Sequence, residues 1–311
     1  MHQSNPSAVT PGQILLATCN GANHLQAQLD SLVAQSVTGW TLRTSDDGST
    51  DDTRGVLAAF SDQNPDRAEV MQGPQDGFVA NFLSLIRAAD ASAPWVALCD
   101  QDDVWLPHKL DRALAWLAGQ DPATPALYCC RLWICGPDLD RRHLSPQPRH
   151  PPCFANALVQ NIASGNTVVL NRAAVALAAR CADSAGAVFA HDWWLYLLVT
   201  GAGGVVHFDA EPGVLYRQHD ENAVGYGRFL SLAPRIATGR YADRIGRNIA
   251  ALNAVSDVLT PTARSTLSTF DAARRARSVG SRLTGLRASG VHRQTPLGQL
   301  ALHFAMAVRR V

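Results

Sequence analysis

The chain has 311 residues, 47% of them hydrophobic and 17% charged, which suffices for one large core or a core with an appendage and excludes three domains. Its net charge of +1 conceals a division: residues 1–229 carry 14 Lys and Arg against 23 Asp and Glu, whereas residues 230–311 carry 13 Arg against 3 Asp. An acidic body argues against nucleic acid as a partner, because that binding draws on basic surface, and suits a cation site.

In chain order, the stretch from Met1 to Pro11 is short and polar and lacks the apolar centre of a signal peptide, so a cytoplasmic location is expected. No window reaches the roughly 18 apolar residues of a membrane span. Gln13 to Thr18 reads as a first strand, followed by a helix in which Leu25, Leu29, Leu32 and Val33 form one stripe. Trp40 to Ser45 reads as a second strand, and Thr53 to Phe60, with Val56, Leu57 and Phe60, as a second helix. Ala68 to Gln72 is a weaker strand before a helix carrying Phe78, Phe82, Leu85 and Ile86. Pro94 to Cys99 is a continuously apolar strand, suited to a sheet centre, and it runs straight into Asp100. Alternating strands and helices of this kind predict a mainly parallel α/β sheet flanked by helices.

Beyond residue 120, Ala126 to Ile134 and Thr167 to Leu170 read as strands, separated by a Pro- and Arg-rich loop from Asp138 to Pro152. Asp192 to Thr200 reads as a buried helix, and Gly204 to Phe208 and Gly213 to Arg217 as two final strands. Arg-rich helices follow. The seven cysteines include no Cys-x-x-Cys pair and several sit in apolar runs, which favours buried reduced thiols over a disulfide or zinc framework.

Four constellations carry possible chemistry. Asp46-Asp47-Gly48-Ser49-Thr50-Asp51-Asp52 lies where the second strand meets a helix. Helix capping accounts for Ser49 to Asp52, while paired carboxylates at the carboxyl end of a central strand favour a ligand role for Asp47. Asp100-Gln101-Asp102-Asp103 places three carboxylates within four residues, and they repel one another unless something positive sits among them. A divalent cation, Mg²⁺ or Mn²⁺, is the natural candidate, since such ions take carboxylates together with substrate phosphates. His191-Asp192-Trp193-Trp194 opens an apolar helix, where Asp192 alone reads equally as a cap. Tyr216-Arg217-Gln218-His219 closes the last strand with a cation and an imidazole.

In this order and spacing the segments resemble the bacterial inverting glycosyltransferases of family 2, which have the GT-A fold, and most of all the branch labelled rhamnosyltransferase-like. Leu15-Leu16-Ala17-Thr18-Cys19-Asn20-Gly21 resembles the family's first strand and turn, and Asp100-Gln101-Asp102 its Asp-x-Asp metal motif. The likeness spans residues 13 to about 225. It implies Thr18, Asn20, Asp47, Asp100 and Arg217 as nucleotide-sugar contacts, with Asp47 on the base, Asp100 near the ribose and Arg217 at the diphosphate. It further implies Asp102 as a metal ligand, His219 as a further metal or diphosphate ligand, and Asp192 as general base. Cys19 departs from the pattern, standing where many relatives carry a Tyr that stacks on the base. The implied reaction transfers a sugar, rhamnose being one candidate, from a nucleotide diphosphate to a saccharide or lipid-linked acceptor in bacterial cell-surface polysaccharide synthesis.

Two other readings compete. A nucleotidyltransferase also uses carboxylate-bound Mg²⁺, but it depends on a basic phosphate loop near the first strand, and Ala17 to Asn23 holds no Lys or Arg. An inactive membrane-associated scaffold is disfavoured by the intact carboxylates. The expected organisation is a GT-A domain over residues 1–229 and a basic, mainly helical C-terminal extension over 230–311. In the extension, Leu300, Phe304, Ala307 and Val308 share a helical face beside Arg309 and Arg310, which suits peripheral contact with an anionic membrane at its inner face. Packing on the acidic body through opposite charge competes closely with that expectation.

Overall fold

The computed structural model describes residues 11–185, 188–219, 236 and 238–311. Strands and helices alternate from the start: β1 (Gly12–Thr18), α1 (Ala22–Val33), β2 (Trp40–Asp46), α2 (Thr53–Gln63), β3 (Ala68–Gln72), α3 (Gly77–Arg87) and β4 (Trp95–Asp100). These four strands are mutually parallel in the order β3-β2-β1-β4. Residues of β1 alternate between the two faces, as strand geometry requires. Ile14 and Leu16 pack with Leu25, Leu29 and Leu57, while Leu15 and Ala17 pack with Phe82, Leu85 and Ile86. Burial on both faces is why the strand reads as an unbroken apolar run.

The second half is mixed. It contains β5 (Val104–Trp105), α4 (Lys109–Leu117), β6 (Ala126–Cys135), β7 (His143–Leu144), α5 (Phe154–Ala157), β8 (Val169–Asn171), α6 (Arg172–Arg180), α7 (His191–Gly201) and β9 (Val205–Arg217). The sheet continues past β4 through β8, β6 and β9 to β5, with β8 antiparallel to both its neighbours and β6 parallel to β9. The seven cysteines are unpaired, and Cys99, Cys129, Cys130, Cys135 and Cys181 are buried.

Three local expectations change. Val33 is 54% exposed, because it lies about 80° round the helix from Leu25 and ends the last turn. The two final strands are one strand, β9, whose register against β6 shifts on either side of Arg131; the shifts leave Ala210, Glu211 and Gly213 without a partner residue on β6 and do not end the ladder. The strand expected from Thr167 starts at Val169, because Gly165–Thr167 forms a 3₁₀ turn.

The boundary drawn at 229/230 lies outside the described residues. After it come α8 (Arg240–Ala254), α9 (Pro261–Arg275), α10 (Val279–Ala288) and α11 (Pro296–Ala307). Their apolar faces enter the same core as α3, α5 and α7, through Ile245, Ile249, Leu252, Leu267, Phe270 and Leu302. Buried Gln294 ties the regions together, accepting from the Arg149 and His150 amides at 2.9 and 2.8 Å and donating to Asn156 Oδ1 at 3.1 Å. An ion pair between the regions, Arg180 with Asp257, places the cation on the body. Phe270→Ala is therefore expected to cost roughly 3–5 kcal/mol in one cooperative transition followed by circular dichroism in urea. Two separate transitions would show that the extension folds apart from the sheet.

Candidate active site

Register brings the acidic motifs together. Thr18 lies beside Asp46 and Ala17 beside Asp100, so the loops after β2 and β4 flank the end of β1, where open α/β sheets bind ligands. A cleft of about 770 Å³ opens there. Thr18, Asn20, Asp47, Asp100, Asp102, Asp192 and His219 all line it.

On the first loop, Asp46 is buried and accepts from Thr18 Oγ1 at 3.2 Å, the Ser49 amide at 3.1 Å and Arg54 Nε at 2.7 Å. Asp46 shapes the loop. Asp47 caps the approach to α3, its two oxygens accepting from the Gln75 and Gly77 amides at 2.6 and 2.9 Å. Asn20, at φ 51°, accepts from the Thr50 amide at 2.8 Å and joins the loops after β1 and β2. Gln101 clips the first turn to the third loop: its Oε1 accepts from the Cys19 amide at 2.8 Å and its Nε2 donates to the Cys19 carbonyl at 2.9 Å. Gly21 is required there, since a Cβ would stand 2.2 Å from Gln101 Oε1.

The three clustered carboxylates have three environments. Asp102 meets His219, with Oδ2 2.9 Å from Nε2 and both side chains about 15% exposed. Asp103 is fully buried, accepting from Asn166 Nδ2 through one oxygen and from the Arg217 amide at 3.2 Å through the other. Asp100 is pushed up to about 8 by desolvation first, then by Asp102 and Asp192, with Lys109 opposing. Lys109 is the basic side chain that opposes the Asp100 shift. It is buried, its Nζ lies 2.9 Å from the centre of the Trp105 ring, and burial lowers its pKa to about 7.

Asp192 opens α7. Its Oδ1 accepts from the Trp193 amide at 2.6 Å and its Oδ2 from the Gly165 amide at 3.0 Å. Desolvation nevertheless raises its pKa to about 6, in the range suited to a general base near neutrality. Neighbouring His191 stacks on Phe82 at 3.9 Å, and burial holds its imidazole neutral, down to about 3.

Arg217 is placed differently from the other expected residues. It does not line the cleft; its Nε donates to the Asp102 carbonyl at 3.0 Å and its Nη1 to the Pro137 carbonyl. Sequence reasoning missed Gln101, Asn166, Gly165 and Lys109. Gln101 and Lys109 sit in or near the acidic motif, but Asn166 lies 63 residues from Asp103 and carries no local signal.

The Asp102–His219 pair offers a carboxylate oxygen and an imidazole nitrogen, donors of the kinds that divalent cations such as Mg²⁺ or Mn²⁺ accept. Among the described residues no group of three or more His, Cys, Asp or Glu side chains is arranged to hold a metal ion alone.

Acidic loops at the carboxyl ends of parallel strands, around one cleft, sit on a fold of the GT-A class. Residues 13–169 match the family described as "Glycosyl transferase family 2", and the chain belongs to that family. Over 217 residues, 68% of this chain and 73% of the relative, it is 25% identical to the dTDP-rhamnosyl transferase RfbG of Shigella flexneri. Over 104 residues, 33% of this chain and 40% of the relative, it is 26% identical to an Escherichia coli protein, the UDP-Glc:alpha-D-GlcNAc-diphosphoundecaprenol beta-1,3-glucosyltransferase WfgD. Among solved structures, S. aureus TarS with UDP-GlcNAc superposes with a TM-score of 0.56 at 13% identity, covering 90% of this chain and 80% of that one. The mannosyltransferase PcManGT of Pyrobaculum calidifontis, with GDP-Man and Mn²⁺, superposes with a TM-score of 0.50 at 16% identity, covering 98% and 88%.

Gly165 stands against His191, where a Cβ would lie 2.7 Å from Nε2, and Phe82 blocks the ring from retreating. Gly165→Ala is expected to cost about 1–3 kcal/mol in urea unfolding and to lower turnover by displacing the amide that holds Asp192. Wild-type stability and turnover in that variant would show that the ring yields freely.

Proposed function

We propose that the chain is an inverting, divalent-cation-dependent glycosyltransferase that moves a sugar from a nucleoside diphosphate to a saccharide or lipid-linked acceptor in bacterial cell-surface polysaccharide synthesis. The observation that carries this reading is one cleft presenting both the Asp102–His219 pair and a separate carboxylate, Asp192, poised near neutrality. RfbG's dTDP-rhamnosyl activity makes dTDP-rhamnose the first donor to test, and the GlcNAc-diphosphoundecaprenol acceptor of WfgD supports a lipid-linked one. The Mn²⁺ bound with GDP-Man by PcManGT supports the cation.

A cation held by Asp102 and His219 supplies Lewis-acid neutralisation of charge on the departing diphosphate. Asn20, Asp47 and Asp100 line the nucleotide end, where Asp47 accepts from the base and Asp100 contacts the ribose. Thr18 acts mainly through Asp46. Arg217 is a positioning residue, fixing the Asp102 backbone. Asp192 takes the proton of the acceptor hydroxyl as its oxygen attacks the anomeric carbon, and the sugar–diphosphate bond breaks with inversion. Residues 230–311 complete the acceptor side, since Tyr241, Arg244, Arg293, Gln294 and Thr295 reach the cleft wall.

Asp102→Ala is expected to abolish cation-stimulated transfer while leaving the melting temperature near wild type, because it deletes a half-buried loop side chain, not a core group. Full activity of that variant in excess EDTA would remove the metal assignment. Turnover requires Asp192 deprotonated, so kcat is expected to fall as pH drops through about 6 and to level off above it. Asp192→Asn keeps the shape but accepts no proton, and is expected to lose about 10²–10⁴-fold in kcat with donor binding retained. Unchanged turnover would return Asp192 to helix capping. Nucleotide-sugar hydrolysis by the wild-type chain separates a catalyst from an inactive scaffold.

A further inference from the structure

Most of the exposed large apolar side chains are scattered, which calls for no explanation, but four stand together on α11. Leu297 is 81% exposed, Leu300 67%, Phe304 61% and Val308 45%. Their spacing puts them on one stripe, opposite Leu302, Ala305 and Met306, which are buried in the core. The helix is not a fraying end. Thr295 caps its start, accepting from the Gly298 amide, and buried Arg282 closes its other end, donating to the Met306 carbonyl at 2.7 Å and the Ala307 carbonyl at 2.6 Å. A firmly held helix therefore presents an uncovered apolar face.

Charge identifies what covers it. Residues 272–311 contain eight Arg and no Asp or Glu. Exposed Arg309 and Arg310 follow the stripe directly, and Arg309 donates to the carbonyl of exposed Arg277 at 3.0 Å. A second copy of the chain would bring the same cations against these, so self-pairing meets repulsion. We propose that the outer face of α11 docks on an anionic phospholipid bilayer, with Leu297, Leu300, Phe304 and Val308 entering the headgroup boundary and Arg277, Arg309 and Arg310 meeting lipid phosphates. No helix among the described residues is long and apolar enough to cross a membrane, so this contact is superficial and reversible.

The placement has a consequence for the cleft. Gln294 and Thr295, which line it, immediately precede α11, so docking brings the acceptor side of the cleft close to the bilayer surface. That consequence rests on the transferase reading with a lipid-linked acceptor; the docking itself does not.

The test is co-sedimentation of the full chain with vesicles of phosphatidylcholine, alone or mixed with phosphatidylglycerol. The wild-type chain is expected to pellet with the mixed vesicles and not with the neutral ones, and less at high salt. Leu300→Glu/Phe304→Glu and Arg309→Glu/Arg310→Glu are each expected to weaken binding by about tenfold or more. Their melting temperatures should stay near wild type, since the substituted side chains are exposed. Equal pelleting of the Leu300→Glu/Phe304→Glu variant, or a wild-type chain that stays in the supernatant, overturns the proposal. So does a wild-type dimer in analytical ultracentrifugation that this variant dissolves, because a second copy would then occupy the face. Donor hydrolysis without vesicles should be the same in wild type and variants. Vesicle binding by a chain that hydrolyses no donor would support docking and reject the catalytic reading.

Discussion

Burying a carboxylate costs several kcal/mol unless hydrogen bonds replace its water, and Asp103 is buried on those terms. Its two oxygens are satisfied by Asn166, in the 3₁₀ turn, and by the Arg217 amide, at the end of β9. Three distant segments meet at this one group. Asn166 follows Gly165, whose amide holds Asp192, while Arg217 precedes His219, which meets Asp102. Asp103 thus ties together the segments that carry the Asp102–His219 pair and the amide partner of Asp192, without itself lining the cleft.

The same segment shows how a fold tolerates clustered like charges. Asp100 and Asp103 are both pushed upward, first by desolvation and then by their neighbours, and Lys109 beneath them opposes the Asp100 shift. Lys109 has no hydrogen-bond partner for its Nζ and rests on the Trp105 ring. In its protonated form it offsets part of the repulsion. The half-buried member, Asp102, is left with an imidazole partner and access to the cleft.

Much of the architecture was legible because local chemistry and tertiary environment agreed. β1 and β4 read as strands because burial on both faces leaves mostly apolar side chains along them, and the acidic motifs read as ligand sites because they stand at the carboxyl ends of β2 and β4. Val33 and the split of β9 into two strands were misread for the opposite reason. A helix end and a bulge are settled by neighbours, and periodicity carries no term for neighbours. The basic extension illustrates the same limit: its charge suggested attraction to an acidic body, yet its helices pack through Ile245, Leu252, Phe270 and Leu302 and through the bonds of Gln294.

By itself the sequence determined the α/β class, the family resemblance and the candidate groups Thr18, Asn20, Asp47, Asp100, Asp102, Asp192, Arg217 and His219, since side-chain type and order are written in the chain. Only the tertiary structure decided where each of them stands and what it touches. Asp46 and Asp47 are adjacent, yet one is buried under Thr18 and Arg54 while the other reaches the cleft; Asp102 and Asp103 part in the same way. Arg217 shares a motif with His219, yet its guanidinium turns to backbone carbonyls as the imidazole turns to Asp102. Consecutive residues such as Asp46 and Asp47 leave a strand end toward opposite sides, whereas Arg217 and His219 part because β9 ends at Arg217; in each pair, which side is solvent, core or cleft is set by segments tens of residues away.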